Sequence, residues 1–369
     1  MKIAPLLKAI AKHNIEHGTA NIKPVLIHTG QHYDYEMSQI FFQELELPKP
    51  DLYLGIGSGT HAEQTGRIMI ELEKALFLEK PDLVIVVGDV NSTLAAALAA
   101  VKLRIPVAHV EAGLRSKDKS MPEEINRLLT DVISDYLFVT SPYAVENLKR
   151  EGIPEAKIFL VGNIMIDTLL YSRKKAEQSQ ILSQLGLKKE GYALLTLHRP
   201  VNVDQKESLA NILAAIVTIS QRIPVVFPAH PRTQKKLEEF DLISHLPGKD
   251  RQLIYIEPLG YLDFLKLMMN ARFVMTDSGG IEAETTILDI PCLTTLDTTG
   301  WEETVSQGTN IIVGNHGQRL VAEAIKLLEG KNTPSHHPEL WDGKTAERIV
   351  NIFAKYFEGN ENRHVFPSS

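Results

Sequence analysis

The sequence predicts the α/β fold class, with parallel sheets covered by helices. Short β-branched segments alternate with amphipathic segments along the whole chain, an order typical of parallel strands joined by helices. Several predicted strands, such as Leu83-Val84-Ile85-Val86-Val87, are apolar at every position, which indicates burial on both faces of a sheet. A chain of 369 residues is long enough for two domains, each with its own hydrophobic core.

The first half opens on a helix. Apolar residues at Leu6, Leu7, Ile10 and Ala11 follow helical spacing, whereas a Rossmann-like domain normally opens with a strand. We therefore expect the first strand of the N-terminal domain to be missing. A second amphipathic helix is predicted at 62–76. The predicted strands of this half lie at 24–28, 83–87, 107–110, 136–139 and 158–161.

The second half repeats the alternation after a helical, charged segment at 167–189. Its predicted strands lie at 193–197, 225–228, 253–256, 273–276 and 292–294. We expect a boundary near Gly162-Asn163, which gives an N-terminal domain at 1–163 and a C-terminal domain at 164–340. Residues 341–369 are predicted to form a helix that packs back on the body, followed by a frayed polar tail.

Composition excludes several classes of function. The chain has 39 basic and 46 acidic residues and a net charge of −7, which argues against binding nucleic acid through bulk electrostatics. A single cysteine, Cys292, excludes a disulfide framework and a cysteine-based metal site. The apolar runs are far shorter than the roughly 20 residues of a membrane span, and no signal-peptide pattern is present. We therefore expect a cytoplasmic protein without a membrane partner.

Polar residues follow the predicted strands of the first half, where ligands of parallel sheets bind. Asp89 and Glu111 come at two strand ends, and Glu123 follows a short loop. Carboxylates there are suited to general acid–base catalysis. Each could instead cap the turn that follows it or suit the first turn of a helix. The convergence of three carboxylates on one sheet edge favours chemistry.

The second half ends its strands with a different set of residues. Asp277-Ser278-Gly279-Gly280 lies between a strand and a helical stretch, and its glycines and helix-start amides suit a diphosphate. An ordinary helix cap by Ser278 or Asp277 is the alternative. Two other strand ends each carry a histidine and a nearby arginine, which suit phosphate charge or proton transfer; a histidine satisfied by its neighbours is the alternative. These residues are His198, Arg199, His230 and Arg232.

Neither a metal nor NAD is predicted. The 13 histidines include no His-Glu-x-x-His or His-x-His spacing. The segment Gly55-Ile56-Gly57-Ser58-Gly59 lacks the spacing of a dinucleotide-binding fingerprint.

Taken together, these motifs resemble the non-hydrolysing UDP-N-acetylglucosamine 2-epimerases over nearly the whole chain. The resemblance starts at Lys2-Ile3-Ala4-Pro5-Leu6 and ends at Trp341-Asp342-Gly343. The motifs between them include Gly88–Thr93, His109–Ser116, Met121–Arg127, Gly162–Asp167, His198-Arg199-Pro200 and Asp277–Gly280.

The resemblance implies a fold and a reaction. The implied fold is two Rossmann-like domains in a glycosyltransferase-B arrangement, with the nucleotide sugar in the interdomain cleft. The implied reaction converts UDP-N-acetylglucosamine to UDP-N-acetylmannosamine without a cofactor. It proceeds by anti elimination of UDP to 2-acetamidoglucal and re-addition on the opposite face. The product would supply cell-surface polysaccharide precursors, and we expect a homodimer.

The resemblance also assigns roles to residues. Its implied catalytic residues are Asp89, Glu111, Glu123 and His198. Its implied substrate-binding residues are Lys2, Arg199, Ser278, Gly279, Gly280 and Glu284, of which Glu284 suits the ribose hydroxyls. A second, activating UDP-N-acetylglucosamine site is implied at Gln31, His32, Arg67 and His230.

Two departures from the family pattern bear on activity and substrate. The family opens with a strand and a Gly-Thr-Arg-Pro-Glu loop, and this sequence starts after them. Where the family usually has Thr-Glu-Arg-Pro, this sequence has Thr299-Gly300-Trp301-Glu302, so Trp301 replaces an arginine that faces phosphate. Tryptophan also occurs there in relatives that act on other UDP-sugars. The alternatives are thus an epimerase of a related UDP-sugar and a catalytically impaired UDP-sugar-binding or truncated relative. A glycosyltransferase on the same scaffold is disfavoured by the three carboxylates.

Overall fold

A computed structural model of the protein describes residues 1–17, 22–30, 40, 42–243, 252–330 and 336–358. The chain divides into two compact units. The first unit comprises Met1–Thr168 and Glu339–Ser369, and the second comprises Leu169–Pro338. The sequence placed this boundary at 163/164; the division instead falls within one continuous helix, Ile164–Ala176.

The first unit contains two parallel sheets. Its strands are β1 (Ile27–His28), β2 (Leu52–Tyr53), β3 (Val84–Val87), β4 (Val107–Ala112), β5 (Tyr136–Val139) and β6 (Ile158–Leu160). β1 pairs with β2, while β3, β4, β5 and β6 form a four-stranded sheet in that order. Among the described residues no strand precedes the first helix, and β1 and β3 lie in different sheets.

Helices cover the sheets of the first unit. They are α1 (Ile3–His17), α2 (His61–Glu79), α3 (Asn91–Lys102), α4 (Pro122–Ile133), α5 (Pro142–Arg150), the start of α6 (Ile164–Ala176) and the C-terminal helix Thr345–Glu358. A 3-10 turn, Glu155–Lys157, precedes β6. The helix α2 begins with a complete capping box, in which the Thr60 and Glu63 side chains each accept from the other residue's backbone N–H.

The C-terminal helix packs on the core of the first unit. Phe353 lies edge-on to Phe138 of β5, with ring centroids 5.2 Å apart. The helix starts at Thr345, later than the sequence pattern suggested, because the Asp167 carboxylate accepts the backbone N–H groups of Thr345 and Ala346. Both chain ends of the described unit, α1 and this helix, therefore share one hydrophobic cluster.

The second unit has one six-stranded parallel sheet. Its strands are β7 (Ala193–Thr196), β8 (Val225–Pro228), β9 (Leu253–Ile256), β10 (Phe273–Thr276), β11 (Cys292–Thr294) and β12 (Asn310–Ile312). The spatial order is β12-β11-β10-β7-β8-β9. This is the doubly wound order, and it reverses between β7 and β10, where such folds bind their ligands. The predicted α/β class is confirmed.

Helices flank this sheet, and a large apolar cluster fills the interior. The helices wholly within the second unit are α7 (Ile181–Gln184), α8 (Pro200–Val203), α9 (Lys206–Ser220), α10 (Pro231–Glu239), α11 (Tyr261–Asn270), α12 (Gly279–Ile287), α13 (Glu302–Ser306) and α14 (Gly317–Leu328); the C-terminal helix of the first unit is then α15. No helix in the described part of the chain is long and apolar enough to cross a membrane.

Candidate functional site

Two adjacent strands of the first unit carry a cluster of paired charges, formed by Lys2, Asp89, Glu111 and Arg127. Asp89 follows β3, and Glu111 lies near the end of β4, its hydrogen-bonded neighbour. The Lys2 Nζ atom is 2.6 Å from Glu111 Oε1, and Arg127 Nη1 is 2.5 Å from Asp89 Oδ2. The structure thus places two of the three predicted catalytic carboxylates at one sheet edge, each beside a cation.

The backbone of Glu111 has an uncommon conformation. Its φ is +76°, in the left-handed region, and the pairing of β4 with β5 shifts register between Val110 and Ala112. A bulge of this kind re-aims a side chain, and backbone strain of this kind is concentrated at functional sites. Among the described residues, Glu111 Oε2 is buried without a hydrogen-bond partner, although Oε1 accepts from Lys2. A buried carboxylate oxygen without a partner is suited to receive a proton or a ligand hydroxyl.

The Lys2 amine of this cluster is held in its charged form. Burial disfavours the charged form of Lys2, yet the nearby Glu111 and Asp89 carboxylates outweigh this effect and raise the pKa of the Lys2 amine. Gly88 lies directly beside this amine: a Cβ atom there would be 3.0 Å from Lys2 Nζ, and the φ of Gly88 is +74°. The positive φ favours glycine at this position, and a larger residue would also displace the Lys2 amine.

Two neighbouring glutamates at the start of α4, Glu123 and Glu124, have different environments. Glu124 is buried, and its Oε2 accepts from Arg127 Nη2 at 2.8 Å and from the Ser116 backbone N–H at 2.9 Å. Burial raises the pKa of Glu124, but these hydrogen bonds and the Arg127 charge outweigh it and lower the pKa. Glu123, the predicted catalytic residue, is half-buried in the first turn of α4. Arg127 was missed as a site residue; its spacing of three and four residues from the two glutamates was the available signal.

In the second unit, His198 and Asp277 meet where the strand order reverses. His198 follows β7, Asp277 follows β10, and His198 Nδ1 is 2.9 Å from Asp277 Oδ1. Asp277 is fully buried and also accepts from the backbone N–H groups of His198 and Arg199 and from the Asn202 amide. Burial alone would raise the pKa of Asp277, but these donors lower it. The carboxylate therefore orients His198 and fixes the loop that carries Arg199.

The helix α12 begins two residues after Asp277, at Gly279. The N-cap residue is Ser278, and its side chain makes no capping hydrogen bond within the described residues. Ser278 is therefore the N-cap residue, as the alternative interpretation predicted, but without a side-chain hydrogen bond, and the Asp277 carboxylate bonds to the β7 loop. Trp301 packs against this helix start, since a Cβ atom on Gly279 would be 2.7 Å from Trp301 Nε1. The structure thus brings Ser278, Gly279 and Gly280 to a helix start beside Trp301.

Two glutamates of α12 are buried. Glu284 Oε1 accepts from the Tyr261 hydroxyl at 2.7 Å, and Glu282 Oε2 accepts from the Thr299 hydroxyl. Burial raises the pKa of each carboxyl from 4.5 to about 7. Glu284 is therefore close to the helix start but bonded to Tyr261, while Glu282, which the sequence did not single out, anchors the segment that carries Trp301.

The buried carboxyl of Glu282 predicts a pH dependence of stability. Because its pKa is near 4.5 when unfolded and about 7 when folded, the folded state binds more protons between these values. Stability should therefore fall as pH rises through this window, by about 3 kcal/mol at about 1.4 kcal/mol per pKa unit. Urea midpoints at pH 5 and pH 8 should differ less in Glu282→Gln than in wild type. The exposed control Glu207→Gln should keep the wild-type difference, and an unchanged difference in Glu282→Gln would contradict the assignment.

The predicted activating site is described only in part. Gln31 and His32 lie outside the described residues. Arg67 is half-exposed on α2, 3.8 Å from Glu63 Oε2, and donates to the Ile56 carbonyl. His230 caps α10 by accepting the Arg232 backbone N–H through Nδ1. Arg67 belongs to the first unit and His230 to the second, so a shared ligand for them remains a prediction.

The first unit contains a carboxylate pair, and the second unit contains a helix start suited to phosphate. A sequence model described as UDP-N-acetylglucosamine 2-epimerase matches residues 15–354. The chain belongs to this family. A UDP-N-acetylglucosamine 2-epimerase of Methanocaldococcus jannaschii is 47% identical over 363 residues, covering 96% of each chain. The crystal structure of that organism's enzyme with UDP-GlcNAc and UDP has a TM-score of 0.88, over 96% of each chain.

A further relative carries a different name. The UDP-2,3-diacetamido-2,3-dideoxy-D-glucuronate 2-epimerase of Pseudomonas aeruginosa is 41% identical over 350 residues, covering 94% of this chain and 95% of its own. The family model and both relatives are named as epimerases of UDP-sugars, so membership in an isomerase family, predicted from the sequence, is confirmed. Within the described residues, no group of three or more His, Cys, Asp and Glu side chains is placed to hold a metal ion.

Proposed function

We propose that this protein interconverts UDP-N-acetylglucosamine and UDP-N-acetylmannosamine. The observation that carries the proposal is the pair of carboxylates, Asp89 and Glu111, at the ends of adjacent strands, each beside a cation. Inversion at C2 requires one group to remove the proton from one face of the sugar and another to return a proton to the opposite face. Two carboxylates at one sheet edge can perform both steps.

The proposed reaction has two balanced halves. In the first, a carboxylate takes the proton from C2, the C2–H electron pair forms the C1=C2 double bond, and the C1–O bond breaks, with its electrons leaving on the diphosphate. In the second, C2 receives a proton on the opposite face and the diphosphate oxygen re-forms the bond to C1. Glu111 Oε2 supports this role because it is buried without a partner within the described residues.

The second unit supplies groups suited to the departing diphosphate. The backbone amides at the start of α12 and the His198 ring, oriented by Asp277, can stabilise the charge that develops on the phosphate oxygen. The C2 proton is not acidic in isolation, so positioning of the carboxylate and stabilisation of the leaving group must share the activation barrier.

A related UDP-sugar is the second candidate substrate. Trp301 packs at the start of α12, where the family usually has an arginine, and one 41%-identical relative is named for a diacetamido-glucuronate. Losing the arginine removes a bidentate contact to phosphate or carboxylate. Incubation of the purified protein with each UDP-sugar separately, followed by NMR of the sugar, distinguishes these substrates. Binding of UDP with no epimer formed from either sugar would support a catalytically impaired relative.

We also propose that the protein is a homodimer that uses the exposed face of α4. Ile125, Leu129 and Val132 form an apolar stripe at helical spacing and are 45%, 48% and 60% exposed. Stable interfaces bury about 800 Å² on each partner around such apolar centres. A second copy of the chain would remove this stripe from water.

The variant Leu129→Glu is expected to convert this dimer to a monomer, because it places a charge at the middle of the stripe. The molar mass from light scattering should then fall by half. The control Ile15→Glu makes the same change at an isolated apolar residue of α1 that is 84% exposed, and should leave the mass unchanged. A monomeric wild type, or a dimeric Leu129→Glu, would contradict the proposal.

A further inference from the structure

One histidine of the first unit is buried among charged side chains and has no role in the proposed chemistry. His109 is the third residue of β4 and is fully buried. Its Nδ1 is 2.6 Å from Asp131 Oδ1, and its Nε2 is 2.8 Å from the Gly88 carbonyl oxygen. A neutral imidazole has one N–H, whereas two acceptors require hydrogen on both ring nitrogens. The geometry is therefore that of an imidazolium.

The surroundings compensate this charge. Asp131 Oδ2 accepts from Arg115 Nη2 at 2.7 Å, and Arg115 forms a two-pronged contact with Glu151 at 2.7 and 2.6 Å. Two cations and two carboxylates thus sum to zero, the condition under which buried charges are tolerated. Burial raises the pKa of Asp131, but the charges of His109 and Arg115 outweigh it and lower the pKa.

The same pair of residues bonds to both loops that carry the carboxylates. The Gly88 carbonyl, bound by His109, belongs to the residue immediately before Asp89. The Gly113 backbone N–H, bound by Asp131 Oδ2 at 3.1 Å, lies two residues after Glu111. The loop that carries Asp89 is therefore linked to the loop that follows Glu111. The link consists of the hydrogen bond from His109 to Gly88, the ion pair of His109 with Asp131, and the hydrogen bond from Gly113 to Asp131.

We propose that His109, in its imidazolium form, is a positioning residue that holds the Asp89 and Glu111 loops together through Gly88 and Asp131. The proposal rests on the proposed function, in which Asp89 and Glu111 move the C2 proton. Proton transfer from carbon requires close alignment, and a misplacement of about 1 Å can cost about 10²-fold in rate. His109 touches neither the proposed substrate groups nor the carboxylates themselves, so its effect on the rate is indirect.

Two amide variants separate the hydrogen bond made by Nδ1 of His109 from the one made by Nε2. In Gln the amide nitrogen reaches the position of Nε2, and in Asn it reaches that of Nδ1. We expect His109→Asn to keep the bond to Asp131, to lose the bond to Gly88, and to lower kcat about 10²-fold with little change in KM. We expect His109→Gln to keep the bond to Gly88 and to lose about tenfold in kcat at most, the effect of one hydrogen bond.

A purely structural role would give a different pattern. Both variants would then lower the melting temperature by the same amount, and their kcat values per folded molecule would equal each other. That result would overturn the proposal. Nitrogen-15 NMR of the wild-type protein at pH 7 gives a test that does not require folded variants. Both ring nitrogens of the fully buried His109 bond to buried residues, so its ring N–H groups should be protected from exchange with water. Two protected ring N–H groups are expected; a single one would overturn the proposal.

The controls separate this proposal from the proposed function. If wild type forms no epimer, or if Asp89→Asn retains the wild-type rate, the proposed function is wrong, and the NMR result still decides the charge of His109. If wild type is active, Asp89→Asn is inactive and folded His109→Asn keeps the wild-type kcat, the positioning role alone is wrong.

Discussion

Asp89→Asn, Glu111→Gln and Glu123→Gln are each expected to lower turnover by about 10²–10⁴-fold, the usual contribution of proton transfer by a positioned side chain. The amides keep the size of the carboxylates but cannot take up a proton. The effect should be largest for Asp89 and Glu111, which the structure places beside Arg127 and Lys2. The measurement is the initial rate of epimer formation from UDP-N-acetylglucosamine.

UDP binding is the internal control for these variants. The proposed diphosphate contacts lie in the second unit, so the dissociation constant for UDP, measured by calorimetry, should stay close to that of wild type. The exposed acid Glu73 on α2 provides a matched substitution, Glu73→Gln, that should retain full activity. A wild-type rate in any of the three variants would show that its carboxylate only caps the local turn.

Asp277→Ala is expected to lower the stability of the protein by about 3–5 kcal/mol, because the donors to this buried carboxylate would be left unsatisfied at about 1–3 kcal/mol each. The carboxylate accepts from the His198 ring, two backbone N–H groups and the Asn202 amide, all of which would lose their acceptor. The affinity of this variant for UDP should also fall, because the orientation of His198 would be lost. Urea denaturation and calorimetry with UDP measure the two effects.

The matched control for this variant is Asp297→Ala. Asp297 belongs to the same unit and its side chain is 78% exposed, so the substitution should change stability by less than about 0.5 kcal/mol. The stability of Asp277→Asn should lie between those of wild type and Asp277→Ala, because the amide oxygen still accepts hydrogen bonds but the negative charge is gone. Equal urea midpoints for Asp277→Ala and Asp297→Ala would show that the buried carboxylate is not a structural anchor.

The sequence was sufficient for most strands because their burial leaves a clear pattern. The run at 273–276 is apolar until its final threonine and lies between turn signals, and β10 has the predicted bounds. Two short strands were missed. Leu52–Tyr53 has two residues, and Asn310–Ile312 begins with an asparagine whose amide bonds inside the fold, so neither has the length or alternation that periodicity requires.

The sequence indicated where several candidate site residues lie, but it did not indicate their pairings, and it missed Arg127. Asp89, His198 and Asp277 follow strands and Glu111 lies near the end of one, so these positions could be found from the strand pattern. The bond from Arg127 to Asp89 crosses 38 residues and the bond from Lys2 to Glu111 crosses 109, so only the folded chain reveals them. The left-handed conformation of Glu111 has no signal in sequence, since it occurs at a non-glycine residue within an apolar strand.

The most direct test of the account is the reaction of the wild-type protein with UDP-N-acetylglucosamine in D₂O. Elimination and re-addition through exchangeable carboxylates predict UDP-N-acetylmannosamine that carries one deuterium at C2, detected by NMR and mass spectrometry. Epimer formed without deuterium would contradict proton transfer through Asp89 and Glu111, and would require either a hydride route or return of the same proton.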